Sequence, residues 1–302
     1  MLYDIRQTTT YAYGATVRSA RQVLRMTPVD QGAHQHVIAH MLETHPAPSE
    51  IEHGLDFFGN AIAWVTFDTP HDRLEIATRC RIEVQPPVLP APMATPILDV
   101  IRAEAFGCAD LGPASPAHAL FPSRCVPLDP AITDWTATSC PADRPVLAAA
   151  MEVMHRIYES FAYQPGTTTV TTLPSEAFAA KRGVCQDFAH VMIAGLRGLG
   201  LPARYVSGYL RTVPPAGQPR LAGADATHAW VDVWCGPDLG WIGLDPTNDI
   251  PAGEDHIILA VGRDYADVSP VDGVIVASGD HILTVGVDVA PVERAQAEAP
   301  AS

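Results

Sequence analysis

The sequence predicts an α+β protein in which an antiparallel β domain precedes a core of helices and a β-hairpin. Three features carry that prediction. Along the first 85 residues, apolar and polar side chains alternate in runs bounded by turn residues, the pattern of half-buried strands. Residues 145–161 and 185–199 carry apolar side chains at helical spacing. Residues 225–249 read as two strands about a dense turn.

Taken in order, residues 2–13 form a first strand, and Val23–Met26 begin a second after a Gly-containing bend. Ala33 to Thr44 reads as a strand of a meander. Its histidines, His34, His36 and His40, with His45 beyond, match no standard ligand spacing and are expected to be exposed strand residues. Residues 48–56 and 59–85 continue as strands, so the β domain is placed at 1–85. Residues 86–97, PPVLPAPMATPI, form an extended Pro-rich connector. From there to 142 the chain is punctuated by Pro113, Pro116, Pro122, Pro127 and Pro130. An irregular connection across the core is expected there.

The core is placed at 143–302, with C-terminal strands included. Pro145 opens a helix whose apolar stripe runs Val146, Leu147, Ala150, Met151, Met154, Ile157 and Phe161, all read as packing residues. A turn over Tyr163–Val170 comes next, then a short helix from Ser175 that Gly183 ends. Gly183 is expected to supply a positive φ or a close substrate approach. The next helix is apolar nearly all round (Phe188, Val191, Met192, Ile193, Leu196, Leu199) and stops at Gly200-Leu201-Pro202, so it should be buried. Cys185 lies in its first turn, where unpaired N–H groups and the helix dipole favour a thiolate and could hold an oxyanion.

Downstream, His228–Cys235 and Trp241–Asp245 flank the turn Gly236–Gly240, and Pro246 closes the second strand. Such a hairpin returns Asp245 towards His228, although its register cannot be read from the sequence. Cys185, His228 and Asp245 therefore supply a thiol, an imidazole and a carboxylate. Their expected roles are nucleophile, general base and then acid, and orienter of the imidazole.

Composition narrows the alternatives. Among 302 residues, 47% are hydrophobic, and the net charge is −15 with Lys181 the single lysine. No basic stripe is available for nucleic acid. No apolar run reaches the roughly 18 residues of a membrane span. Six cysteines without a CxxC pair fit a reducing compartment, and the first residues lack a basic-then-apolar signal, so a cytoplasmic location is expected. No metal site and no cofactor are expected. The expected partner is a peptide or protein substrate, and a homo-oligomer is compatible with this composition.

Several stretches resemble the bacterial transglutaminase-like superfamily: GVCQDFAH (183–190), LGLPARYVSGYL (199–210), THAWVDVW (227–234) and GWIGLDPTN (240–248). Tyr11–Tyr13 with Leu24–Pro28 resemble the β domain that precedes this family's core, and VGRDYADVSPVDGV (261–274) its closing segment. The resemblance implies a papain-like core with a Cys–His–Asp triad. It points first to thiol-dependent hydrolysis of peptide or amide bonds through an acyl-thioester, and second to transglutaminase-type transfer to an amine. A non-catalytic peptide-binding module is the third reading. Gln186, Tyr163 and Gln164 are side-chain candidates for the oxyanion or substrate cleft, ranked below the Cys185 N–H. Trp230 and Trp234 either wall the cleft or pack the core. Asp187 and His190 are expected to hydrogen-bond each other in support of the site.

Overall fold

The computed structural model describes residues 1–212 and 225–292; residues 213–224 and 293–302, within the stretch assigned to the core, lie outside the described residues. Strands β1 (Leu2–Val17), β2 (Ala20–Thr27), β3 (Gln35–His45), β4 (Glu50–Leu55), β5 (Ala61–Phe67) and β6 (His71–Val84) match the alternation of the sequence. After them come helices α1 (Leu98–Phe106), α2 (Pro130–Ala137) and α3 (Val146–Ser160). Strand β7 (Ala162–Tyr163), helix α4 (Pro174–Ala180) and strand β8 (Arg182–Gly183) lead into α5 (Cys185–Gly198). Next are β9 (Ala203–Leu210), β10 (Ala226–Trp234), β11 (Trp241–Asp245), β12 (Ile250–Pro251) and β13 (His256–Gly262). Helix α6 (Tyr265–Val268) and strands β14 (Val271–Ile275) and β15 (His281–Pro291) complete the described chain.

The 86–142 connection is more regular than expected. Pro130 starts a helix rather than interrupting one: Asp129 caps α2 by accepting from the Ala131 and Ile132 N–H groups, and proline fits the first helical position. Helix α1 is short, and it buries Leu98, Ile101 and Ala105 against the main core.

The C-terminal strands, assigned from sequence to the core, pair instead with the β domain. The two four-stranded sheets run β15-β1-β6-β3 and β14-β2-β5-β4. Val17, Leu24, Met26, Val65, Phe67, Leu74 and Ile76 pack between them. The long β1–β6 sheet also extends past its partner. There Tyr3, Ile5, Ile82, Val84, Val287 and Val289 pack on Tyr209, Ile257 and Leu259 of a third sheet.

That third sheet has the order β12-β11-β10-β9-β13. Helix α5 covers one face, burying Phe188, Val191, Met192, Ile193 and Leu196 with α1, α2 and α3 around it. The outer edge of β13 is closed by side chains. Gln35 donates to Ile258 O and accepts from Ile258 N, both at 2.8 Å. Asn60 does the same for Val261, at 2.7 and 2.8 Å. Two primary amides thus stand in for a missing strand, satisfying edge groups that would otherwise be left unpaired. Among the described residues no helix is long and apolar enough to cross a membrane.

Helices α2 and α5 approach closely at Gly195 and Gly198, where an added Cβ would fall on the Thr136 and Thr133 hydroxyl groups. Gly195→Val should therefore destabilise the fold by about 1–3 kcal/mol through overpacking, read as a lower urea midpoint at unchanged m-value.

Candidate active site

The geometry begins with how the chain enters α5. Strand β8 pairs with β7, so Gly183 lies beside Tyr163. Lys181, just before β8, adopts a left-handed conformation (φ 50°). Its Nζ sits 3.5 Å from the Phe178 ring centroid and 4.4 Å from that of Phe161. Burial and then the neighbouring Arg156 charge hold this amine below its ordinary pKa. The cation–π contacts tie the turn to the core.

Gly183 has no positive φ; it is required because a Cβ would collide with the Asp187 carboxylate. Asp187 accepts from the Val184 N–H at 2.8 Å and from the Thr168 hydroxyl at 2.7 Å, capping the first turn of α5. The expected Asp187–His190 pair does not form. His190 Nε2 instead accepts from the Tyr265 N–H at 3.3 Å, and burial lowers its pKa to about 4.

Cys185 is consequently half-buried at the start of a helix whose remainder is buried. Its thiol shares the cleft lining with the His228 imidazole, near enough to raise that ring's pKa, and β10 presents the ring opposite Gly208 of β9. A side chain at Gly208 would meet Ile257 O and the Trp230 ring. His228 Nε2 lies 2.8 Å from Asp245 Oδ2, leaving Nδ1 as the nitrogen that faces the thiol. The structure thus brings Cys185, His228 and Asp245 together, with Val231 opposite Leu244 and Trp234 opposite Trp241 supplying the register the sequence left open.

Asp245 is fully buried and accepts five hydrogen bonds. Thr247 N and Asn248 N reach Oδ1 at 2.9 and 3.3 Å. Asn248 Nδ2 reaches Oδ2 at 2.7 Å, and His256 Nε2 does so at 3.2 Å. Burial alone would raise this carboxyl's pKa, but the donors, His228 first, outweigh it and hold the group well below the usual carboxylate range. For His228 burial acts the other way, downward. Its hydrogen bond to Asp245, and then the neighbouring Cys185, prevail and raise the pKa to about 10.

His228, Asp245 and His256 are also the described side chains that converge as a metal site would, with donor atoms within 4.8 Å of one another. Their separations of 2.8 and 3.2 Å are those of hydrogen bonds, and the second ring nitrogen of His256 is occupied by the Gly253 N–H at 3.1 Å.

A cleft of about 360 Å³ opens over Cys185 and His228. The core contributes Tyr163, Val170, Gln186 and Tyr205 to its lining, and the β domain contributes Gln7, Thr9 and Tyr11 from β1 with Leu283 and Val285 from β15. A larger depression, about 630 Å³, lies between Arg6, His40 and Arg79 on the outer face of the β1–β6 sheet, and none of Cys185, His228 and Asp245 lines it. Tyr163 is half exposed in the cleft. Gln186 reaches it too, but its Nε2 already donates to Val170 O at 3.2 Å. The Gln164 side chain does not line the cleft. Trp230 is not a cleft wall: it packs with Val206 and Val261, its ring 6.3 Å from that of His228. Trp234 joins the core on the helix side.

Two residues escaped sequence reasoning. Tyr205 lines the cleft, and burial, then the nearby Cys185 charge, keeps its hydroxyl protonated well beyond the ordinary range. The alternation of β9 could have suggested Tyr205, but not that its face opens on the thiol. His256 lies outside the hairpin and carries no local sign of its contact with Asp245.

Comparison with known proteins agrees with this architecture. Residues 3–83 match the model of the bacterial transglutaminase-like N-terminal region, and residues 134–246 match that of the transglutaminase-like superfamily. The chain is similar to the uncharacterized protein Rv2569c of Mycobacterium tuberculosis, at 36% identity over 300 residues, 96% of this chain and 93% of that protein. It is similar over a shorter stretch, 36% over 96 residues, to a protein-glutamine gamma-glutamyltransferase of Pseudomonas aeruginosa, spanning 31% of this chain and 14% of that enzyme. In fold it resembles a Cytophaga hutchinsonii protein described as a candidate cysteine protease. That match has a TM-score of 0.73 and 20% identity, and covers 98% of this chain and 92% of the other. With both of its regions matched and a relative aligned along nearly its whole length, the chain belongs to the transglutaminase-like superfamily, in the bacterial form that carries the N-terminal β region.

Proposed function

We propose that this protein hydrolyses peptide or amide bonds through Cys185, His228 and Asp245. The observation that carries the reading is the His228 imidazole, next to Cys185 in the cleft and hydrogen-bonded on its far side to the buried carboxylate of Asp245. In the first step the Cys185 sulfur attacks the carbonyl carbon as thiolate, and the carbonyl π pair moves to oxygen. The oxyanion lies at the first turn of α5, where the Cys185 N–H has no intrahelical acceptor. Collapse of this intermediate expels the amine, which takes its proton from the His228 imidazolium. A thioester remains. His228, now neutral, removes a proton from water as the water oxygen attacks the thioester, and the thiolate leaves. Asp245 keeps the ring oriented and stabilises its charged form throughout.

The cleft lining suits an uncharged acyl side chain: among its described residues there is no Asp, Glu, Lys or Arg. A second reading has an amine in place of water at the thioester. The named activity of the Pseudomonas relative favours it over the short stretch that the two share. Hydrolysis ranks first because water needs no binding channel of its own.

Uncharged peptide anilides test the proposal. Turnover should be lost in Cys185→Ala with the unfolding midpoint unchanged; a folded Cys185→Ala variant that still turns over removes Cys185 as nucleophile. Adding a primary amine separates the two readings, since an amide product formed in preference to acid would move transfer to first place.

A pH profile tests the roles. With its pKa raised from 6.5 to about 10, His228 stays protonated through neutral pH. Its imidazolium is the proton donor, so kcat/KM should hold across neutral pH and fall on the alkaline side as that proton is lost. Asp245→Asn removes a raising influence and should move this limb to lower pH. His228→Ala should cost about 10²–10⁴-fold in kcat and more than Asp245→Asn; equal losses would contradict the division of roles.

A further inference from the structure

We infer that His256 is a positioning residue for the reaction: a second imidazole, neutral and protonated on Nε2, that clamps the carboxylate oxygen to which His228 is bound. The inference rests on the Cys185–His228–Asp245 reading above and adds a group to it.

The partners determine the tautomer. His256 opens β13 and is 1% exposed. Its Nδ1 faces the Gly253 N–H at 3.1 Å, and a backbone N–H can only donate, so Nδ1 carries a lone pair. The ring proton is therefore on Nε2, 3.2 Å from Asp245 Oδ2. That oxygen thus receives His228 Nε2, Asn248 Nδ2 and His256 Nε2 from three segments of the chain. The ionisable groups that face the carboxylate, among the described residues, are His228 from β10 and His256 from β13, with Cys185 of α5 behind His228.

A buried carboxylate with fewer donors can turn about its Cβ–Cγ bond, and the Nε2–H bond of His228 turns with it. His256 opposes that rotation on the oxygen that matters. It also supports His228 through a ring stack: His256 meets Trp230 edge-on at 5.2 Å, and Trp230 lies nearly parallel to His228 at 6.3 Å. His256 is itself anchored from the β domain, because Gln35 holds both backbone groups of Ile258, two residues along β13. The β domain thereby reaches the triad through its backing as well as through the cleft wall.

Packing alone would give His256 the same burial, so the test must separate the hydrogen bond from the volume. His256→Gln can offer an amide N–H near the Nε2 position, whereas His256→Met has similar length and no donor. The rate of Cys185 alkylation by iodoacetamide, with peptide mapping of all six cysteines, is compared in the full chain. Alongside it, the low-field proton resonance of the His228–Asp245 bond is monitored, assigned by its loss in Asp245→Asn.

The Met variant should react about tenfold or more slowly and lose or shift the resonance, and the Gln variant should recover most of the rate. If the Met variant does not fold, His256→Phe, which keeps a ring against Trp230, replaces it. A folded donor-free variant that reacts as fast as wild type, with the resonance unmoved, overturns the role of His256 alone. Wild-type Cys185 reacting no faster than the other cysteines and unaffected by His228→Ala would instead overturn the triad reading, and this inference with it.

Discussion

A carboxylate buried in the interior is the constraint on which this structure turns. Leaving Asp245 unpaired in the interior would cost several kcal/mol, so its oxygens must be met by donors. Those donors come from β10, from the turn after β11 and from the start of β13. Satisfying one side chain therefore requires the register of three segments to be correct together. The hairpin pairing that puts Leu244 opposite Val231 is part of that requirement, and so is the absence of a side chain at Gly208.

A second set of constraints prepares the thiol. Helix α5 is buried along nearly all its length, yet its first turn must stay open to a cleft. The left-handed turn at Lys181 and the Asp187 cap achieve this by redirecting the chain immediately before Cys185. The aromatic rings around Lys181 come from the end of α3 and from α4 as well as α2, so the direction of entry is set by helix packing rather than by local propensity. The two glycines on the far half of α5 let α2 approach and hold that packing.

The β domain is more than an appendage to this core. Strands β1 and β15 form one wall of the cleft, and Gln35 and Asn60 close the edge of β13. Gln7 links the two modules beneath the cleft, accepting from the Tyr209 hydroxyl at 2.7 Å. The cleft lining and the support of the site both cross this boundary. The acyl-thioester is common to both proposed reactions, and its fate depends on which nucleophile can enter between the two walls.

What the sequence by itself determined is what local patterning can encode. The strand alternation of β1–β6, the amphipathic α3, the buried α5 and the turn between β10 and β11 all arise from spacing and from turn residues. So does the position of Cys185 at a helix start. The helices in the 86–142 connection were less legible because proline marks both loops and first helical turns, and only the Asp129 cap distinguishes them. Tertiary structure alone decided the rest. It paired β14 and β15 with strands more than 200 residues earlier, as in the match of Thr9 with Val285. It turned Trp230 away from the cleft and separated Asp187 from His190. It also brought His256 to Asp245. Each of these depends on which faces meet across distant segments, and sequence periodicity specifies a face without naming its partner.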